Sequence, residues 1–149
     1  MNTVRTILNQ RPGGNIYTVV PEQTVLSAAQ YMKANNIGAV IVMRDGTLSG
    51  ILSERDLLIK VTGPGVDPRD LSVSKIMSPS VTIVSPDESW DDCLVKMGTA
   101  HCRHLPVVDE GRLIGMISLR DILGVDEAKC LDNYLWDTTA RQEEVVQKA

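Results

Sequence analysis

A chain of 149 residues, 43% hydrophobic and 23% charged, has apolar content enough for one core or two interlocked halves, but not the length for two independent domains. A net charge of −4 excludes a nucleic-acid binder that works through a broad basic face. No apolar run approaches a leader's hydrophobic stretch or the roughly 20 residues of a membrane span, so the cytoplasm is the expected compartment.

In chain order, a pentad at Val4–Leu8 precedes a breaker-rich Pro12-Gly13-Gly14 turn. A short strand is expected over Ile16–Val20. Thr24 then caps a helix whose apolar positions Val25, Ala28, Ala29 and Met32 have helical spacing, with stop chemistry at Asn36 and Gly38. Apolar runs at Ala39–Met43 and Leu48–Leu52 flank Asp45-Gly46, which predicts a hairpin. Ser53-Glu-Arg55-Asp56 opens a second helix with Ser at the cap and Asp three residues on.

From Thr62 to Pro68 the chain is dense in Gly and Pro and reads as a linker. A second pentad, Val73–Met77, resembles the first. The pattern then repeats: strand Val81–Val84, a Ser89-capped helix with Asp91 and Asp92 in its first turn, a hairpin across Glu110-Gly111, and Ser118-Leu-Arg120-Asp121. With a constant offset of 65, eleven of the forty-two positions from Tyr17 to Leu58 are identical in the second copy, where composition alone gives about three. The chain is a duplication. The units expected are 1–63 with its lead-in, a linker over 64–72, a second unit over 73–124, and a helix and tail over 125–149. Each is strand, helix, strand, strand, helix, with small mixed α/β sheets packed about a pseudo-twofold axis.

The strings Gly50-Ile-Leu-Ser53-Glu-Arg55-Asp56 and Gly115-Met-Ile-Ser118-Leu-Arg120-Asp121 share their polar positions. At a strand-to-helix turn a carboxylate can accept a ribose diol, while a Ser hydroxyl, helix N–H groups and an Arg hold phosphate. Capping alone explains Ser and Asp; it needs neither the adjacent Arg nor the leading Gly. Only the second copy carries Arg103-His104-Leu-Pro106, which offers cations to phosphate and a flat Pro106 surface to a base. On that ground Asp121 is expected to matter more than Asp56. No nucleophile and base constellation, phosphate loop or metal set stands out, and Cys93, Cys102 and Cys130 read as small buried hydrophobes.

The paired G-x-x-S-x-x-D strings, the R-H-L-P-V-V-D string at 103–109, the I-M-S-P lead-in at Ile76–Pro79 and the fixed repeat resemble the cystathionine-β-synthase (CBS) domain, which occurs in tandem pairs called Bateman modules. The resemblance covers about Val4 to Leu123. It implies a non-catalytic regulatory module whose clefts bind AMP, ADP, ATP or NAD(H), with S-adenosylmethionine in some members. It also implies a flat homodimer, and leaves the regulated protein partner unnamed. Asp56 and Asp121 would then hold the riboses, Ser53 and Ser118 would lie near ribose or phosphate, and Arg55, Arg120, Arg103 and His104 would face phosphate. Ile16 and Val81 would wall the adenine. AMP ranks first because one Arg-His cluster suits one phosphate. The alternative is a protein-protein adapter whose clefts stay empty.

Overall fold

The structure, a computed structural model, describes residues 2–11 and 16–124. The Pro12-Gly13-Gly14 turn, Cys130 and the helix and tail expected after Gly124 lie outside the described residues. Helix α1 (Val4–Asn9) comes first. The first repeat follows as β1 (Thr18–Val19), α2 (Val25–Ala34), β2 (Ala39–Arg44), β3 (Thr47–Ser53) and α3 (Glu54–Leu57), which runs on as a π-helical turn over Leu58–Thr62. The second contains α4 (Val73–Ile76), α5 (Trp90–Ala100), β4 (His104–Asp109), β5 (Arg112–Ser118) and α6 (Leu119–Leu123).

Local chemistry sets these boundaries. The Thr24 hydroxyl accepts the Ser27 amide and the Ser89 hydroxyl accepts the Asp92 amide, both at 3.1 Å, which starts α2 and α5. Both helices stop at a left-handed residue, Asn36 (φ 51°) and its counterpart His101 (φ 52°). Each hairpin turns through two residues of positive φ, Asp45-Gly46 and Glu110-Gly111, as a two-residue turn matched to strand twist requires.

β2 pairs antiparallel with β3 and parallel with β1. In the second sheet β4 pairs with β5, but the strand expected over Val81–Val84 shrinks to a single parallel bridge, Val84 to Val107. Proline accounts for the difference. In the first copy the Ile41 amide donates to the Tyr17 carbonyl at 3.3 Å, extending the parallel pairing; its counterpart Pro106 has no N–H to give Thr82.

The two lead-ins exchange places. α1 docks on the second repeat, where its Val4 and Ile7 join the core of Val84, Cys93, Leu105, Val107 and Ile117. α4 docks on the first, where Val73 and Ile76 join Val25, Val40, Val42 and Leu52. Matching backbone bonds fix both. Val4 and Arg5 donate to the Glu88 and Pro86 carbonyls, and Val73 and Ser74 donate to Gln23 and Pro21, all within 3.0 Å. Each unit therefore completes its core with a segment that precedes the other.

That exchange explains the leading glycines of the two polar strings. A Cβ at Gly50 would lie 2.8 Å from Met77 Sδ and 2.9 Å from the Ser78 carbonyl; one at Gly115 would lie 2.9 Å from Leu8 Cδ2. The glycines admit the lead-ins. Gly50→Ala is expected to lower stability in urea melts by about 1–3 kcal/mol because backbone must move, and Gly115→Ala by less, because only a flexible leucine tip must yield.

Candidate functional site

The duplicated strings form the starts of α3 and α6, and both are capping boxes. The Ser53 hydroxyl accepts the Asp56 amide at 3.3 Å while Asp56 Oδ2 accepts the Ser53 amide at 2.9 Å; Ser118 and Asp121 repeat this at 3.3 and 2.7 Å. Ser53 Oγ also donates to Asp56 Oδ2 at 3.0 Å, so this hydroxyl is spent on its own helix. One carboxylate oxygen of each aspartate is committed to the cap. The other is ion-paired: Asp56 Oδ1 with Lys60 Nζ at 3.0 Å, and Asp121 Oδ1 with the Arg11 guanidinium. Lys60 is anchored in turn by the Ile76 carbonyl at 2.8 Å.

Two cavities open between the repeats. The first, about 490 Å³, is lined by Ser53, Glu54, Arg55 and Asp56 from the first unit, by Ser80, Val81 and Thr82, and by His101 to His104 from the second. The second, about 600 Å³, is lined by Ser118, Leu119 and Arg120 with Lys33, Asn36 and Ile37. Gly38, Glu54, Arg103 and His104 line both, forming a shared wall. The volumes fall within the range typical of small-molecule sites, roughly 300–1,000 Å³.

The structure thus brings Ser53, Arg55, Asp56, Val81, Arg103 and His104 together, and Ser118 and Arg120 with the same Arg103 and His104. Three expected residues fall elsewhere. Pro106 is buried inside the second sheet, its carbonyl accepting the Val84 amide at 3.0 Å, and offers no face to a ligand. Ile16 is 40% exposed and lines neither cavity. Asp121 lies beside Arg11 and is absent from the described residues lining the second cavity. Because Arg103 and His104 serve both cavities, the ground for ranking Asp121 above Asp56 is removed.

Sequence reasoning passed over Glu54, Lys60, Arg11, Ser80 and Thr82. Glu54 had a signal, since it and Leu119 are the mismatch inside otherwise matching S-x-R-D strings. Lys60 had another, four residues from Asp56 on one helix. Arg11 and Ser80 are counterparts only once the two lead-ins are superposed.

Burial holds His104 below its ordinary value of 6.5; Arg103 and Arg120 add to the shift and Glu54 opposes it. It is therefore a neutral imidazole at neutral pH, and the positive charge at the cleft comes from the guanidinium groups. Burial pushes the Cys93 and Cys102 thiols up, so both are protonated; Cys93 packs in the core and Cys102 edges the first cavity. Among the described residues no three His, Cys, Asp or Glu side chains converge on a metal position. Nor is any described helix long and apolar enough to cross a membrane.

Two swapped lead-ins, two small sheets and a shared cleft define a tandem α/β pair. The chain belongs to the CBS-domain family, whose model matches residues 4–63 and 73–127. It is similar to the CBS domain-containing protein YhcV of Bacillus subtilis, 36% identical over 107 residues that cover 72% of this chain and 76% of that protein. It is also similar to hypoxic response protein 1 of Mycobacterium tuberculosis, 33% identical over 123 residues covering 82% and 83%. A solved structure of a hypoxic response protein I with two coordinated zinc ions matches with a TM-score of 0.68 and 31% identity over 83% of this chain and 98% of that one. A CBS-domain structure from Burkholderia ambifaria, assigned to signal transduction, matches with a TM-score of 0.79 and 38% identity over 82% and 91%.

The His104 shift has a sign. In the unfolded chain the imidazole takes its proton first as pH falls, so stability is full above 6.5, declines as pH drops through it, and levels off below the folded value. His104→Gln is expected to flatten the decline that begins as pH falls through 6.5, read by thermal melts.

Proposed function

We propose that the chain is a non-catalytic sensor that binds an adenine nucleotide in the cleft between its units, with AMP the preferred ligand and ADP, ATP and NAD(H) behind it. The observation that carries this reading is the first cavity, where the Asp56 carboxylate, the Arg55 and Arg103 guanidinium groups and the Ser80–Thr82 segment line one space. The Asp56 oxygen not held by the cap can accept ribose hydroxyls once Lys60 gives way. The arginines supply fixed charge to phosphate. The Thr82 carbonyl, to which Pro106 has no amide to donate, is an acceptor for the exocyclic amine of adenine, and Val81, Ile51 and Ala39 offer apolar surface to its ring.

Glu54 supports the ranking of a monophosphate. Its carboxylate oxygen would lie 3.3 Å from a Cβ at Gly38, on the wall shared by both cavities. Further phosphates extending towards that wall meet a like charge.

The module acts without catalysis: a ligand favouring one relative placement of the units shifts the population towards it. Leu58 and its counterpart Leu123 are 61% and 57% exposed, with Ile59 beside the first at 53%, and two chains pairing through these helices would cover them. Free thiols at Cys93 and Cys102 agree with the cytoplasm. The adapter reading draws on a different observation, the Lys60 and Arg11 cations that already neutralise the two aspartates.

AMP at 100-fold over its Kd is expected to stabilise the protein by about 2.7 kcal/mol in thermal melts. Asp56→Asn keeps an oxygen for the Ser53 amide but replaces the diol acceptor by a donor, and should weaken AMP about tenfold or more in calorimetry. No heat and no melting shift with any adenine nucleotide would give the adapter reading the site. On the same footing, Glu54→Gln is expected to narrow the preference for AMP over ATP, measured as the ratio of the two Kd values.

A further inference from the structure

We infer that the two cavities are unequal by construction: the chain takes one nucleotide, in the Asp56 cavity, and Arg11 is a latch that keeps the Asp121 site closed. This deepens the nucleotide reading and rests on it.

The two sites are images of one another in sequence but not in what covers the aspartate. Both aspartate side chains are 12% exposed, but Asp56 stands on the wall of the first cavity, whereas Asp121 lies against the Arg11 guanidinium and is missing from the described lining of the second. Its other oxygen is held by the Ser118 amide at 2.7 Å, so neither oxygen is available to a sugar diol while Arg11 stays. The counterpart of Arg11 across the two lead-ins is Ser80, a small side chain that lines the first cavity together with Asp56 and makes no ion pair with it.

Arg11 is placed by the fold. The Arg11 amide donates to the Leu8 carbonyl at 3.2 Å, and Leu8 sits over Gly115 on β5, the strand that leads into Asp121. Docking α1 on the second core therefore delivers the guanidinium to the carboxylate. Lys60 is a different kind of partner. It reaches Asp56 from its own helix as a single ammonium, bonded at the same time to the Ile76 carbonyl, and leaves the carboxylate at the cavity wall. The planar, multiply donating guanidinium makes the more persistent cover.

The backbone repeats the inequality. The Tyr17 carbonyl is taken by the Ile41 amide at 3.3 Å, whereas Pro106 has no amide to take the Thr82 carbonyl. Thr82 lines the first cavity and Tyr17 lines neither, so this acceptor belongs to the first side.

Calorimetry of AMP on the full chain, its Arg11→Ala variant and Arg11→Ala combined with Asp121→Asn tests the latch, with Arg11→Lys as a conservative comparison. The wild type should take one AMP per chain, any second event being about tenfold or more weaker. Arg11→Ala should take two in the same affinity range, and the added Asp121→Asn should return it to one. Thermal melts establish that each variant is folded. Two equal sites in the wild type, or a single site that Arg11→Ala leaves unchanged, would overturn the latch while leaving nucleotide binding intact. AMP binding to neither protein would instead remove the reading beneath it.

Discussion

The exchange of lead-in segments is the constraint on which the rest of the molecule depends. Neither repeat holds a complete core: the first lacks Val73 and Ile76 and the second lacks Val4 and Ile7 until each receives the segment that precedes the other. Burying a Val or Ile contributes roughly 1.5–3 kcal/mol, and each docked segment brings two of them with its backbone bonds. Two halves too small to stand alone are thereby tied without a large interface between their sheets. A cleft can persist between them because the linkage runs around it.

The same exchange decides what surrounds each aspartate. A segment that crosses to the other unit passes the start of that unit's last helix, so residues following α1 reach Asp121 and residues following α4 lie near Asp56. The polar strings read as matched pairs in the sequence. Their surroundings come from segments that do not match, Arg11 in one case and Ser80 in the other. Unequal sites are the ordinary outcome when a duplicated unit borrows part of its pocket from a diverged neighbour.

Much of this was legible from the residues. The duplication, the capped helices and the two-residue hairpins follow from spacing and turn chemistry that local physics enforces. The Ser-Glu-Arg-Asp and Ser-Leu-Arg-Asp strings located both cavities. What was not legible depends on partners distant in sequence. Pro106 reads as an exposed flat ring because proline is usually at the surface, yet here it ends a parallel pairing inside the sheet. The leading glycines read only as a feature that capping does not require, because their reason for being small, Met77 and Leu8 pressed against them, belongs to the exchanged lead-ins. His104 reads as a cation until its burial beside two arginines is known.

The capping boxes carry two demands at once. A carboxylate that closes a helix start has one oxygen fixed by backbone, which orients the other towards whatever lies beyond the turn. On the proposed reading, structure and binding use different oxygens of one side chain. Pairing the outward oxygen with a cation compensates its charge, and on the proposed reading it sets the work a ligand must do: break one ion pair and replace it by hydroxyl donors. Where the cation is a lysine on the same helix, it can retire along its own stem. Where it is an arginine delivered by a helix docked on the opposite core, displacing it would tug on that helix, and on the proposed reading occupancy of the second site is coupled to how firmly the lead-in is seated.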